Sequence, residues 1–146
     1  MRDVIVNAEV DIALPRAQVF DLMADARNEL AWNSKVSRSD LVSPEPIRRG
    51  TEFLTVNRGQ KYVGIITTYD RPDEVGFNVV GRAMEINASM RFADSGDGTR
   101  MTARFDLQPK GLMKVMMPLM AGAIRKDFPR QLNSFKEFCE SSADSP

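Results

Sequence analysis

The sequence predicts an α+β domain: a curved antiparallel sheet of about seven strands wrapped around a long C-terminal helix, with an apolar cavity between the two layers. Two observations carry this. Over roughly the first three-quarters of the chain, apolar residues recur largely with a period of two, broken by Gly, Pro and Asp turns, as in strands joined by hairpins. From residue 111 to about residue 140 the period becomes helical and the apolar residues form one broad stripe.

Val4, Val6, Ala8, Val10 and Ile12 alternate with Ile5, Asn7, Glu9 and Asp11, which reads as a half-buried first strand. Leu14-Pro15 ends it, and Pro15 suits a helix start, where its missing N–H has no intrahelical partner to lose. Val19, Phe20, Leu22 and Met23 give this short helix an apolar face, and residues 25–32 form a second one ending at Trp32. Leu14 is a poor N-cap, so the free N–H groups need other partners.

Strands are expected over 36–42, 51–57, 61–69 and 75–80. Then comes the clearest hairpin. Ile86, Ala88, Met90 and Phe92 should share a buried face with Met101, Ala103, Phe105 and Leu107, leaving Glu85, Arg91, Arg100 and Arg104 in solvent. In the last helix, Leu112, Val115, Met116, Leu119, Met120, Ala123, Ile124, Phe128, Leu132, Phe135, Phe138 and Cys139 make up the stripe. Pro118 and Pro129 each remove a backbone bond, so a kink or short break is expected near Phe128-Pro129. Residues 1–140 form the single domain, and 141–146 read as a disordered polar tail.

Composition excludes several chemistries. With no histidine, neither a Ser-His-Asp nor a Cys-His arrangement can be built. One cysteine and no histidine rule out nitrogen- and sulfur-ligated zinc, and no acidic loop is dense enough for an oxygen-ligated cation, so no metal or other cofactor is expected. Twenty basic residues balance twenty acidic ones, which gives no broad field for nucleic acid or anionic lipid. No apolar run approaches the ~18 residues of a membrane span, and the lone Cys139 suits a reducing compartment, so the cytoplasm is expected.

Three segments carry a family resemblance. DIALPRAQVFDLMADARNELAWNSKV, KYVGIITTYDRPDEVGFNV and GDGTRMTARFDLQPKGLMKVMMPLM resemble the opening, the middle strands and the final hairpin and helix of the polyketide cyclase/dehydrase and lipid-transport family (START/Bet v 1-like, SRPBCC superfamily). The resemblance covers nearly the whole chain and implies the helix-grip fold. It also implies a pocket that holds a lipid, polyketide, isoprenoid or quinone-like molecule. Its motifs are diffuse apolar patterns, which specify a fold and no particular activity.

The candidate cavity lining is Trp32, Phe53, Tyr62, Tyr69, Phe77, Met90, Phe105, Met116, Met120 and Ile124. Trp32 either stacks on a ligand or caps the core where the short helices meet the sheet. Thioether side chains such as Met116 and Met120 adapt to irregular apolar molecules and also fill cores, while Met113 and Met117 lie toward the stripe's margin. Tyr62 and Tyr69 have opposite parity on one strand, so both face inward only if a bulge intervenes; Gly64 permits one. Asp21 and Asp25, four apart, read as a solvated helix face, and Cys139 as a small core residue.

The leading functional expectation is non-catalytic binding of a hydrophobic small molecule, as carrier or sensor, by a monomer or homodimer. One alternative is a polyketide cyclase/aromatase-like enzyme, which needs an inward-facing ionisable group, and no catalytic residue stands out for it. A second is an interaction module that uses its surface.

Overall fold

In the last hairpin the alternation of side chains becomes an observed register. Ile86 pairs with Leu107, Ala88 with Phe105, Met90 with Ala103 and Phe92 with Met101. Arg91, Arg100 and Arg104 are exposed on the other face, and Glu85 is half-buried there, accepting a hydrogen bond from the Asn78 amide at 2.9 Å. The structure is a computed structural model that describes residues 4–143.

Seven strands, β1 (Val4–Ile12), β2 (Val36–Leu41), β3 (Glu52–Asn57), β4 (Gln60–Asp70), β5 (Glu74–Gly81), β6 (Met84–Ser95) and β7 (Gly98–Pro109), form one sheet. Its order is β1-β7-β6-β5-β4-β3-β2, antiparallel throughout. Helix α1 (Arg16–Ala24), a 3-10 turn (Ala26–Asn28) and the four-residue α2 (Glu29–Trp32) follow β1, and α3 (Met113–Ala143) ends the fold. This is the helix-grip arrangement. No helix of the described residues is long and apolar enough to cross a membrane.

One row of inward side chains runs across five strands: Val6, Phe105, Ala88, Phe77 and Ile66. Against this face α3 lays Phe128, Leu132, Phe135 and Cys139, each 5% exposed or less. At one end α1 closes the layers, its Phe20 ring standing edge-on to Tyr69 and Phe92 with centroids 5.1 and 5.5 Å away. The chain passes tightly there: a Cβ on Gly98 would lie 2.3 Å from the Ile12 carbonyl oxygen. No side chain caps α1; the Pro15 carbonyl accepts from the Gln18 and Val19 N–H groups at 3.1 Å each. The far end of α3 is tied back by Glu140, whose carboxylate accepts from the Ala13 N–H at 2.9 Å.

The structure corrects three expectations about α3. Of the kink or short break expected near Phe128-Pro129, the break does not occur: the helix is continuous through Pro118 and Pro129. Both prolines are exposed, so the carbonyls they leave unpaired one turn back can be satisfied by water. The helix also runs to Ala143, which places residues 141–143 of the anticipated tail within it; the rest of that tail lies outside the described residues. Finally, the first half of the apolar stripe is split, with Met120 half-buried and Ala123 exposed. Leu112, Val115, Met116 and Leu119 turn outward, and Met117, expected at the margin, is 1% exposed.

Tyr62 and Tyr69 are reconciled by a bulge a few residues beyond where glycine permitted it. β4 pairs Ile66 with Phe77 but Thr68 with Gly76, so Thr67 is the extra residue. Gly64 stays in regular register between Phe53 and Val79. Parity flips at Thr67, and both tyrosines belong to the inner face.

Candidate functional site

The inner face is sealed unevenly. Toward α1, Val75, Met90, Phe92, Met101 and Ala103 are 4% exposed or less. Toward the end where α3 begins, Tyr62, Val79, Ile86 and Phe105 are only half-buried. The helix follows the same gradient, with Met113, Met120 and Ile124 half-buried above that end. These seven side chains keep partial exposure on the inner sheet face and along the first half of α3.

Close packing fixes two of these side chains. Phe105 leans on Phe128 of α3 with ring centroids 4.7 Å apart. The Tyr62 ring covers Gly81 so closely that a Cβ there would sit 2.4 Å from Tyr62 Cε1. Burial raises the Tyr62 hydroxyl above the usual phenol range, against the opposing pull of Arg58, so it stays protonated and able to donate. Lys110 anchors the chain leading into α3, its Nζ donating to the Gly81 carbonyl at 3.2 Å and its backbone N–H to the Ala83 carbonyl at 2.9 Å.

Of the ten residues expected to line a cavity, Tyr62, Phe105, Met120 and Ile124 are half-buried at this end of the fold. Phe53 and Phe77 lie sealed in the sheet surface beside it, at 1% and 9% exposure. Met90 is enclosed toward the α1 end. Trp32 sits at the end of α2, edge-on to Phe135 with centroids 5.3 Å apart, where it covers the core. Met116 does not join them, being 43% exposed on the outward side of α3. Tyr69 instead lines a separate groove of ≈ 550 Å³ with Asp21, Ala24, Asp25, Arg27, Glu45, Pro46 and Ile47.

That groove is rimmed by paired charges. Arg71 forks onto Asp21 at 2.7 and 2.9 Å, and Arg27 holds Asp25 at 2.9 and 2.8 Å while reaching Glu45 at 2.8 Å. Asp21 and Asp25 are thus committed to arginines and do not form an acid/base pair. A hollow of ≈ 230 Å³ lies between Thr67, Glu74, Ser89, Arg104 and Asp106, with Phe77 and Ala88 also in its lining. Cys139 is fully buried, and burial pushes its thiol up to about 12, which fits a packing residue and not a nucleophile.

Glu29, on α2, escaped the sequence reading. Part of the residue is exposed, yet its carboxyl is enclosed, and burial pushes it up to about 7 against the opposing pull of the Asn33 amide 3.5 Å away. No periodicity marks a residue in a four-residue helix. The sign of its effect follows. Below its ordinary value of 4.5 both folded and unfolded chains are protonated; between there and about 7 only the unfolded chain ionises, and stability falls. Glu29→Gln mimics the protonated group and should stabilise by about 1–3 kcal/mol at pH 8 but under about 0.5 kcal/mol at pH 4. Urea titrations at the two pH values check this; equal effects at both would mean a solvated carboxyl.

Among the described residues, no group of three or more His, Cys, Asp or Glu converges as a metal site would require. Residues 3–140 match the family model described as polyketide cyclase / dehydrase and lipid transport. The chain belongs to this family. Its fold is also that of TTHA0849 from Thermus thermophilus, with a TM-score of 0.77 at 18% identity over 97% of this chain and 99% of that one. A START superfamily protein from Mycobacterium smegmatis gives 0.67 at 15% identity, covering 97% of each chain. The di-domain ARO/CYC protein BexL from the BE-7585A biosynthetic pathway gives 0.68 at 15%, over 99% of this chain and 51% of BexL. At such identities these likenesses show the fold. Among curated proteins none matches the sequence.

Proposed function

We propose that this polyketide cyclase / dehydrase and lipid transport domain binds a hydrophobic small molecule in the cleft under the first half of α3, as a cytoplasmic, non-catalytic carrier or sensor. The observation that carries the reading is the uneven closure of the two layers. Tyr62, Val79, Ile86 and Phe105 of the sheet and Met113, Met120 and Ile124 of α3 keep partial exposure, while Val75, Met90, Phe92, Met101 and Ala103 are sealed. Apolar surface left open in this way gains packing contacts and loses water when a chain-like or flat apolar molecule enters. The flexible thioethers of Met113 and Met120 let the roof fit lipids, polyketides, isoprenoids or quinones of different outline. Tyr62 supplies one hydroxyl to orient a polar group of the ligand.

Titration with fatty acids, quinones and aromatic polyketides, followed by native mass spectrometry, tests this. A one-to-one complex with at least one class is the expected result; no complex with any class contradicts it. Glu29 and the likeness to BexL favour a second reading, a cyclase-like catalyst in which a carboxyl near neutrality moves a proton. Turnover of a linear polyketide mimic that Glu29→Gln abolishes would select that reading over the carrier.

A further inference from the structure

The first half of α3 is apolar on two opposite sides, and one of them faces nothing in this chain. Leu112, Val115, Met116 and Leu119 are 75, 69, 43 and 87% exposed, spaced so that they share one face. Met117 and Ala121, on the other side, are 1% and 9% exposed. Seven residues beyond Leu119 the outward face continues as Lys126, followed one turn later by Arg130, both exposed. Between residues 107 and 126 the chain carries Lys110, Lys114, Arg125 and Lys126 and no Asp or Glu. The next carboxylate, Asp127, is paired with Lys35. The overall charge balance of the sequence conceals this local excess.

We propose that this face docks on an anionic lipid surface. Exposed Leu and Val side chains beside lysines and arginines are what holds a helix in the interface: the apolar groups enter the acyl boundary while the cations reach lipid phosphates. Charge selects this occupant over a second copy of the chain. A second copy would have to seat this face against its own equivalent, where Lys126 and Arg130 lie beside the apolar side chains and residues 107–126 hold no carboxylate to receive them. The docked helix is also the roof of the cleft, so its partly buried Met113, Met120 and Ile124 would lie close to the bilayer. The docking holds whether or not the cleft carries a ligand.

Flotation with vesicles of phosphatidylcholine, alone or mixed with phosphatidylglycerol, tests the proposal. The full chain should float with the mixed vesicles only, and less so as salt rises. Leu119→Asp and Lys126→Glu should each cut partitioning about tenfold without changing the melting temperature, because both side chains are solvent-exposed. Absence of binding to mixed vesicles overturns the proposal, as does undiminished binding by both variants. A dimer in sedimentation velocity that Leu119→Asp dissociates would assign the face to a second copy and overturn it equally.

Discussion

Met120→Trp should weaken binding of an apolar ligand at least about tenfold, a loss of roughly 1.4 kcal/mol, while the protein stays folded. Met120 is half-buried, one turn from Met117 and one from Ile124, so an indole there should project into the space the proposed ligand would occupy. Met113 and Ile124 beside it are only half-buried, which allows the larger group to enter without the roughly 1–3 kcal/mol strain typical of overfilling a tight core. Titration of wild type and variant with the same ligand, alongside thermal melts, measures both halves. Equal affinities would place the ligand elsewhere, with the Tyr69 groove the next place to look. Unfolding of the variant would mean that the roof is packed tightly and has no room.

Phe135→Ala should cost about 3–5 kcal/mol, a large share of the stability of a domain whose total is of order 5–15 kcal/mol. Phe135 is fully buried and joins two parts of the fold, standing edge-on to Trp32 of α2 and packing within 6.4 Å of Phe138 along α3. Its removal leaves a void that Trp32 can fill only by moving α2 with it. For a chain of this length the midpoint should fall by roughly 6–20 °C. Calorimetry showing a drop under about 2 °C would mean that α2 and Trp32 collapse freely into the space. These two substitutions separate the halves of α3, because one should alter binding and spare stability while the other does the reverse.

The final hairpin was legible because its two faces meet different surroundings: Arg91, Arg100 and Arg104 meet water, and Met90, Met101 and Ala103 meet the core. Each polar residue there reports the register. β3 and β4 gave no such report, since Leu54, Val56, Val63 and Ile65 place apolar side chains on the outer face as well. The bulge at Thr67 was equally silent. A β-branched residue inside a strand looks regular, and Gly64, which permitted a bulge, stayed in register.

The first half of α3 misled for a related reason. With Leu, Val and Met all round the helix, residue type alone offers two faces, and the wrong one contains Met116. The phase was available from the other end, because steps of three or four residues back from Cys139 through Phe135, Leu132, Phe128, Ile124 and Ala121 arrive near Met117. Glu29 could not be found this way. Its carboxyl is buried although part of the residue is exposed, and nothing in a four-residue helix marks that from sequence.

The cleft is tested most directly by the methionine methyl NMR spectrum of the chain, recorded as an apolar ligand is added. Met113, Met120 and Met84 frame the end of the fold where α3 begins, Met23 and Met101 lie toward α1, and Met116 points outward. Occupation of the cleft should move the Met113 and Met120 resonances most and leave Met23 and Met116 in place. Shifts led by Met116, or no shift with any fatty acid, quinone or aromatic polyketide, would contradict a ligand site between the sheet and the helix.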